Sequence, residues 1–330
     1  MEFWLPIIFV SVMGIALLAY VILDGYDLGI GMLLPLANEK EKDSMIAAIG
    51  PFWDANETWI VLGIGVLLIA FPQAHGIVLT SLYIPVTIML FGLILRGVAF
   101  DFRVKAGDNK RKLWNQLFFV GSLTASVAQG WMLGDYITGL GDGLINTLFA
   151  LLIAITLPAL YVMLGASWLL IKSSDELLNK AVRWARVALL PMGIALLLVS
   201  IATPIVSTEI AEKWFTLPNA IGLLPIPLIC GFCFLGIGWM LGRNDLIHDG
   251  HGWVVFAGLA IICLMAALGL AYSIYPWIIL GQLTIFESAS ATASLEFALV
   301  GVLLTVPMIV AYTLFVYWIF RGKAQGLSYE

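Results

Sequence analysis

Residues 3–36 read FWLPIIFVSVMGIALLAYVILDGYDLGIGMLLPL, an apolar run interrupted toward its far end by Asp24 and Asp27. About 20 apolar residues suffice to span a bilayer as a helix, so this stretch alone places the chain in a membrane. Working outward, similar runs recur at 52–71, 77–100, 113–133, 144–171, 187–206, 217–241, 253–277 and 296–320. Hydrophobic residues make up 62% of the 330 and charged residues 11%, which excludes an ordinary water-soluble domain. The runs lack the two-residue alternation of a membrane barrel, and in lipid each segment must satisfy its own backbone. The expected fold is an all-α polytopic membrane protein, one integral domain over 1–330 with nine transmembrane helices and no strands.

The first run is not read as a cleaved leader, because it has no basic start, is too long and lacks a small-residue cleavage site. Fourteen of the 16 Lys and Arg residues fall in the connections after runs 1, 3, 5, 7 and 9, from Lys40 and Lys42 to Arg321 and Lys323. The opposite connections hold only Lys213. By the positive-inside rule the N-terminus lies outside and the C-terminus in the cytoplasm, as an odd number of spans requires. The net charge of −5 argues against a nucleic-acid partner. Cys230, Cys233 and Cys263 all fall within runs and are expected to pack as small apolar residues rather than form disulfides.

Chemistry is expected where charge interrupts the apolar sequence, since a carboxylate facing lipid is costly. Asp24 with Asp27, and Asp54 with Glu57, are each spaced i, i+3, which puts both acids of a pair on one helix face. The first pair closes a run that starts outside and the second opens the next run, so all four are expected near the inner boundary. With Pro51 at the first helical position, Asp54 would lie one turn in and Glu57 nearly two. Arg96, Asp101 and Arg103 end the third run at the same level, giving a charged cleft of seven residues. Partly desolvated carboxylates beside an arginine can exchange protons, so a proton entrance is the natural reading. Gly25 and Gly29 form a small-xxx-small pattern suited to close helix approach.

A haem within the bundle is not expected, because His75, His248 and His251 all lie between runs and the 11 Met are read as core filler. Tryptophans near the run ends, including Trp4, Trp59, Trp131, Trp214, Trp253, Trp277 and Trp318, are read as interface belts. The polar stretch Glu287 to Glu296 is read as an outer loop. Internal repeats of the kind found in inverted-repeat transporters are not evident.

Three motifs carry a resemblance: LDGYDLGIGML (Leu23 to Leu33), GPFWDANETW (Gly50 to Trp59) and LRGVAFDFR (Leu95 to Arg103), with YWIFRGK (Tyr317 to Lys323) near the end. In order, spacing and nine-run layout the chain resembles subunit II of the cytochrome bd-type quinol oxidases, including the cyanide-insensitive branch, over essentially its whole length. The resemblance implies a multi-pass subunit of the bacterial cytoplasmic (inner) membrane that forms a heterodimer with a similarly folded subunit I, often joined by a small single-helix subunit. It implies that the two b-type haems, the d-type haem and the quinol-oxidising loop belong to subunit I, that no cofactor is bound by this chain itself, and that a structural quinone is found here in some members. The complex oxidises quinol and reduces dioxygen to water with cytoplasmic protons.

Asp54 corresponds to the family's proposed entrance of a proton path. Glu57 and Asp24 are read as further carriers, and Arg96, Asp27 and Asp101 as electrostatic support. Two departures from the family pattern are Phe286-Glu287 where many relatives have Trp-Asp or Trp-Gln, and Ala55 where Gly is commoner. Two other readings of the acidic pairs stay open: a scaffold that only stabilises subunit I, and an ion-coupled transporter that acts alone.

Overall fold

The computed structural model describes residues 3–105 and 107–324. Among them, nine helices are long and apolar enough to cross a membrane. In chain order the elements are α1 (Trp4–Leu33, continued by a 3-10 turn Leu34–Leu36), α2 (Glu39–Ile49), α3 (Trp53–Ala70), α4 (Pro72–Ser81), α5 (Tyr83–Lys105), α6 (Asp108–Ile137), α7 (Leu144–Lys172) and α8 (Asp175–Val206). They continue with α9 (Thr208–Phe215), α10 (Asn219–Leu223), α11 (Pro225–Gly242), α12 (Asn244–Leu246), α13 (Trp253–Ile274), β1 (Trp277–Ile279), β2 (Leu283–Thr284) and α14 (Thr292–Ile319). The spans are α1, α3, α5, α6, α7, α8, the α10–α11 pair, α13 and α14.

Most departures from the sequence reading sit at helix ends, where hydropathy reports the membrane and hydrogen bonding continues beyond it. The sixth span, α8, starts at Asp175 rather than 187, its charged first turns standing clear of the apolar window. Ile77 and Val78 belong to the short α4, so the next span begins at Tyr83. The stretch from Glu287 is irregular to Ala291 and helical from Thr292 onward. A two-stranded antiparallel hairpin, β1 with β2, lies where no strand was expected, Trp277 being withdrawn from the eighth apolar run.

Helix α1 packs against α3, α6 and α7, with α5 on α6, α7 on α8 and α11 on α13. Small residues permit these contacts. A Cβ at Gly29 would lie 1.8 Å from the Tyr161 carbonyl oxygen, and one at Gly165 would lie 2.5 Å from the Gly29 carbonyl carbon, so α1 and α7 touch backbone to backbone. Gly92 and Gly121 bring α5 and α6 equally close, each Cβ falling within 2.8 Å of the other's carbonyl oxygen. Lipid tails are as apolar as leucine, so helices in a membrane associate through such close packing. The exposed faces are rich in Leu, Ile, Val and Phe, as a lipid-facing surface requires.

Arg103, Lys172 and Lys180 bind at one end of the bundle. There α2 lies in a polar clasp: Arg103 of α5 pairs with Asp43 at 2.8 Å, and Lys180 of α8 with Glu41 at 2.7 Å. Burial alone would raise the Glu41 pKa, but Lys180 and the Asn38 backbone N–H hold its carboxyl below the usual range. Asn38 caps α2 with a full capping box, accepting from the Glu41 N–H while Glu41 accepts from the Asn38 N–H. Losing such a cap costs about 1 kcal/mol. Asn38→Ala is therefore expected to raise local opening of α2 roughly five-fold, read as faster cleavage of the 37–52 connection by added protease; an unchanged rate would refute the cap's role. At the same end Lys172 donates to the carbonyl oxygens of Phe320 and Gly322, strapping the exit of α14 to α7.

Candidate functional site

The two acids of α1 lie within the helix and not at its end. The helix continues nine residues past Asp24 to Leu33, about 13 Å at 1.5 Å per residue, and its last turns are buried. Asp24 and Asp27 are both fully covered by protein. They do not bind one common partner: Asp24 Oδ1 accepts from Arg96 Nη1 at 2.7 Å, while Asp27 Oδ2 accepts from Asn56 Nδ2 at 2.8 Å. Arg96, itself 2% exposed, donates through its other terminal nitrogen to Glu57. One guanidinium thus joins α1, α3 and α5.

Helix α3 begins at Trp53 rather than Pro51, because residues 50–52 form a turn. Asp54 therefore sits in the first turn and is exposed, whereas Glu57, three residues on, has a side chain only 31% exposed. Negative charge in a helix's first turn also suits its dipole. Asp101 is exposed on α5, near enough to Asp54 for the two carboxyls to repel. Arg103 does not join this cleft: it is drawn to α2 and α6, donating Nε–H to Asn115 Oδ1 at 2.6 Å and pairing with Asp43. A narrow crevice beside the cluster is lined by Asp27, Ile49, Trp53, Arg96, Phe100 and Phe118.

Several uncharged residues complete the cluster and were not marked out by sequence. Asn56 is fully buried and donates to Asp27, to the Tyr26 hydroxyl at 2.8 Å and to the Leu23 carbonyl at 3.2 Å. Its carbonyl accepts from the Tyr317 hydroxyl of α14 at 3.0 Å. Asn56 lies between Asp54 and Glu57 within the motif Gly50 to Trp59, and that placement was its signal. Gly25 makes room for Tyr161, whose ring a Cβ there would meet at 2.9 Å. Trp59, read as an interfacial residue, is buried against Ala16 and Tyr20, because α3 turns that face toward α1; Trp4, Trp253 and Trp318 are exposed.

No three His, Cys, Asp or Glu side chains converge as a metal site among the described residues. His75 lies on α4, His248 Nε2 is 3.0 Å from Asn179 Oδ1, and His251 is exposed in the turn before α13. None projects from a spanning helix into the bundle, so the histidines do not fit axial ligation of a haem there.

Comparison with known proteins agrees with this architecture. The sequence pattern of the family described as cytochrome bd terminal oxidase subunit II matches residues 5–320. The chain is similar to cytochrome bd ubiquinol oxidase subunit 2 of Bacillus subtilis (strain 168), at 27% identity covering 98% of this chain and 96% of that one. It is also similar to cytochrome bd-I ubiquinol oxidase subunit 2 of Escherichia coli (strain K12), at 24% identity covering 94% and 92%. In fold it matches a chain of the bd oxidase from Geobacillus thermodenitrificans with a TM-score of 0.76 over 97% of this chain and 99% of that one, at 18% identity. A match running through all nine spans, from residue 5 to residue 320, leaves one conclusion: the chain belongs to the cytochrome bd terminal oxidase subunit II family.

Proposed function

We propose that this subunit takes up protons from the cytoplasm and passes them toward the haems of a partner subunit I, where the complex oxidises quinol and reduces dioxygen to water. The observation that carries the reading is the order of exposure along a set of neighbouring acids. Asp54 is exposed, Glu57 is partly covered, and Asp24, joined to Glu57 through Arg96, is fully buried. Three carboxyls, those of Asp24, Asp27 and Glu57, surround a single arginine, so full ionisation leaves excess buried negative charge. One bound proton relieves that excess, and the cluster therefore exchanges protons as a unit. The basic end of the bundle, which holds this mouth, faces the cytoplasm on this reading.

Asp54 collects the proton, Glu57 and Asp24 carry it, and Arg96 keeps the set partly ionised. Asp27 and Asp101 support it electrostatically. The haems and the quinol-oxidising site belong to subunit I, in keeping with the absence of an inward histidine on the described spans; a small single-helix subunit and a structural quinone fit the same assembly.

Asp54→Asn is expected to slow quinol oxidase turnover on the order of ten-fold or more while haem content and subunit composition stay at the parent level. Parent turnover in that variant would end the proton-entrance reading. Loss of haem-bearing complex instead would favour a purely structural role, the second reading that the many hydrogen bonds made by Asn56 support.

A further inference from the structure

Beside Asp24, three buried polar side chains from three helices form a chain that the proton-uptake reading leaves unused. Tyr161 of α7 donates its hydroxyl to Gln129 Oε1 of α6 at 2.6 Å, and Gln129 Nε2 donates to the Tyr20 hydroxyl oxygen of α1 at 2.7 Å. Tyr20, Gln129 and Tyr161 are 3%, 8% and 1% exposed. Tyr20 and Asp24 are spaced i, i+4 and so share one face of α1, about one helical turn apart. Arg96 occupies Asp24 Oδ1, leaving Oδ2 buried with no other hydrogen-bond partner among the described residues.

The direction of this chain follows from donor counting. An amide has one end that accepts and one that donates. With Gln129 Nε2 on the Tyr20 oxygen, the Tyr20 proton is free to turn toward Asp24, and Tyr161 finds its acceptor in Gln129 Oε1. The reversed amide would draw the Tyr20 proton onto Gln129 and present bare oxygen lone pairs to a carboxylate. Asp24 is the acid one turn from Tyr20 on α1, so it selects the first arrangement.

We infer that Gln129 is a positioning residue for proton transfer, its amide turning the Tyr20 hydroxyl onto Asp24 and giving that carboxyl a second, uncharged donor opposite in kind to Arg96. The inference rests on Asp24 being a proton carrier. Gln129 has no proton to give in this role and acts only through Tyr20.

The test is a double-mutant cycle on the assembled oxidase. Tyr20→Phe removes a single oxygen and Gln129→Leu removes the amide; Gln129→Glu, nearly isosteric, stands in should the leucine variant assemble poorly. Each single variant is expected to lower kcat roughly ten-fold with quinol KM and haem content unchanged, and the Tyr20→Phe/Gln129→Leu double variant to be no slower than Tyr20→Phe alone. In infrared difference spectra the carboxyl band that disappears in Asp24→Asn is expected to move in both single variants. Additive losses, or parent kcat in both single variants while Asp24→Asn is slow, would overturn the inference and leave the proton-uptake reading intact. Parent turnover in Asp24→Asn would instead remove Asp24 from that reading.

Discussion

Gly29→Ala should leave little haem-bearing complex to purify. The added methyl would lie 1.8 Å from the Tyr161 carbonyl oxygen, a backbone atom in a hydrogen-bonded helix that has no rotamer with which to yield. Helix α1 must then move away from α7 and give up the close packing that holds the two together without a hydrophobic drive. Overpacking typically costs about 1–3 kcal/mol, and a clash with backbone belongs at or above the top of that range. The displacement would also carry Asp24 and Asp27 away from Arg96 and Asn56, which they meet from the same helix. Gly14→Ala is the control: it lies on α1 too, and a Cβ there meets nothing within 4 Å. Size-exclusion of the detergent-solubilised complex with haem absorbance as readout checks both, and a Gly29→Ala complex recovered like the parent would refute this account of the interface.

Arg96→Gln is expected to be nearly as damaging, for an electrostatic reason. The guanidinium is the charge on which Asp24 and Glu57 both depend, and removing one partner of a buried ion pair costs about 3–5 kcal/mol because the other charge stays behind. That origin makes the loss repairable. Adding Asp24→Asn removes the fully buried one of the two stranded carboxylates and leaves the partly exposed Glu57, so the double variant should regain much of the assembled complex while still lacking turnover. Yield of haem-bearing complex separates the outcomes, and a double variant no better than Arg96→Gln alone would show that Arg96 acts by shape rather than by charge.

The residues legible in the sequence were those whose burial is expensive. Asp24, Asp27, Glu57 and Arg96 stand out because ionisable groups in an apolar run need a reason, and the structure brings all four together. Asn56, Gln129, Tyr20 and Tyr317 escaped because amides and phenols are tolerated in a membrane once bonded, and nothing in their spacing shows which bonds they find. Arg103 was misplaced for a related reason. Its position put it at the right depth, but the helical form of 39–49, hidden by mixed polarity, supplied Asp43 as a nearer acid. The nine spans were legible because twenty apolar residues have few alternatives in lipid, and their ends were not, since Asp175 to Arg186 stay helical though their charges break the apolar run.

The hydroxyl of Tyr317 reaches Asn56 from α14, and Lys172 fastens the carbonyls just beyond it. Helices are made in order, so a growing chain that has inserted its first eight spans still lacks one wall of the acid centre. Completion waits for the final span to arrive, and a polypeptide cut short during synthesis never closes the hydrogen-bonded cluster around Asn56.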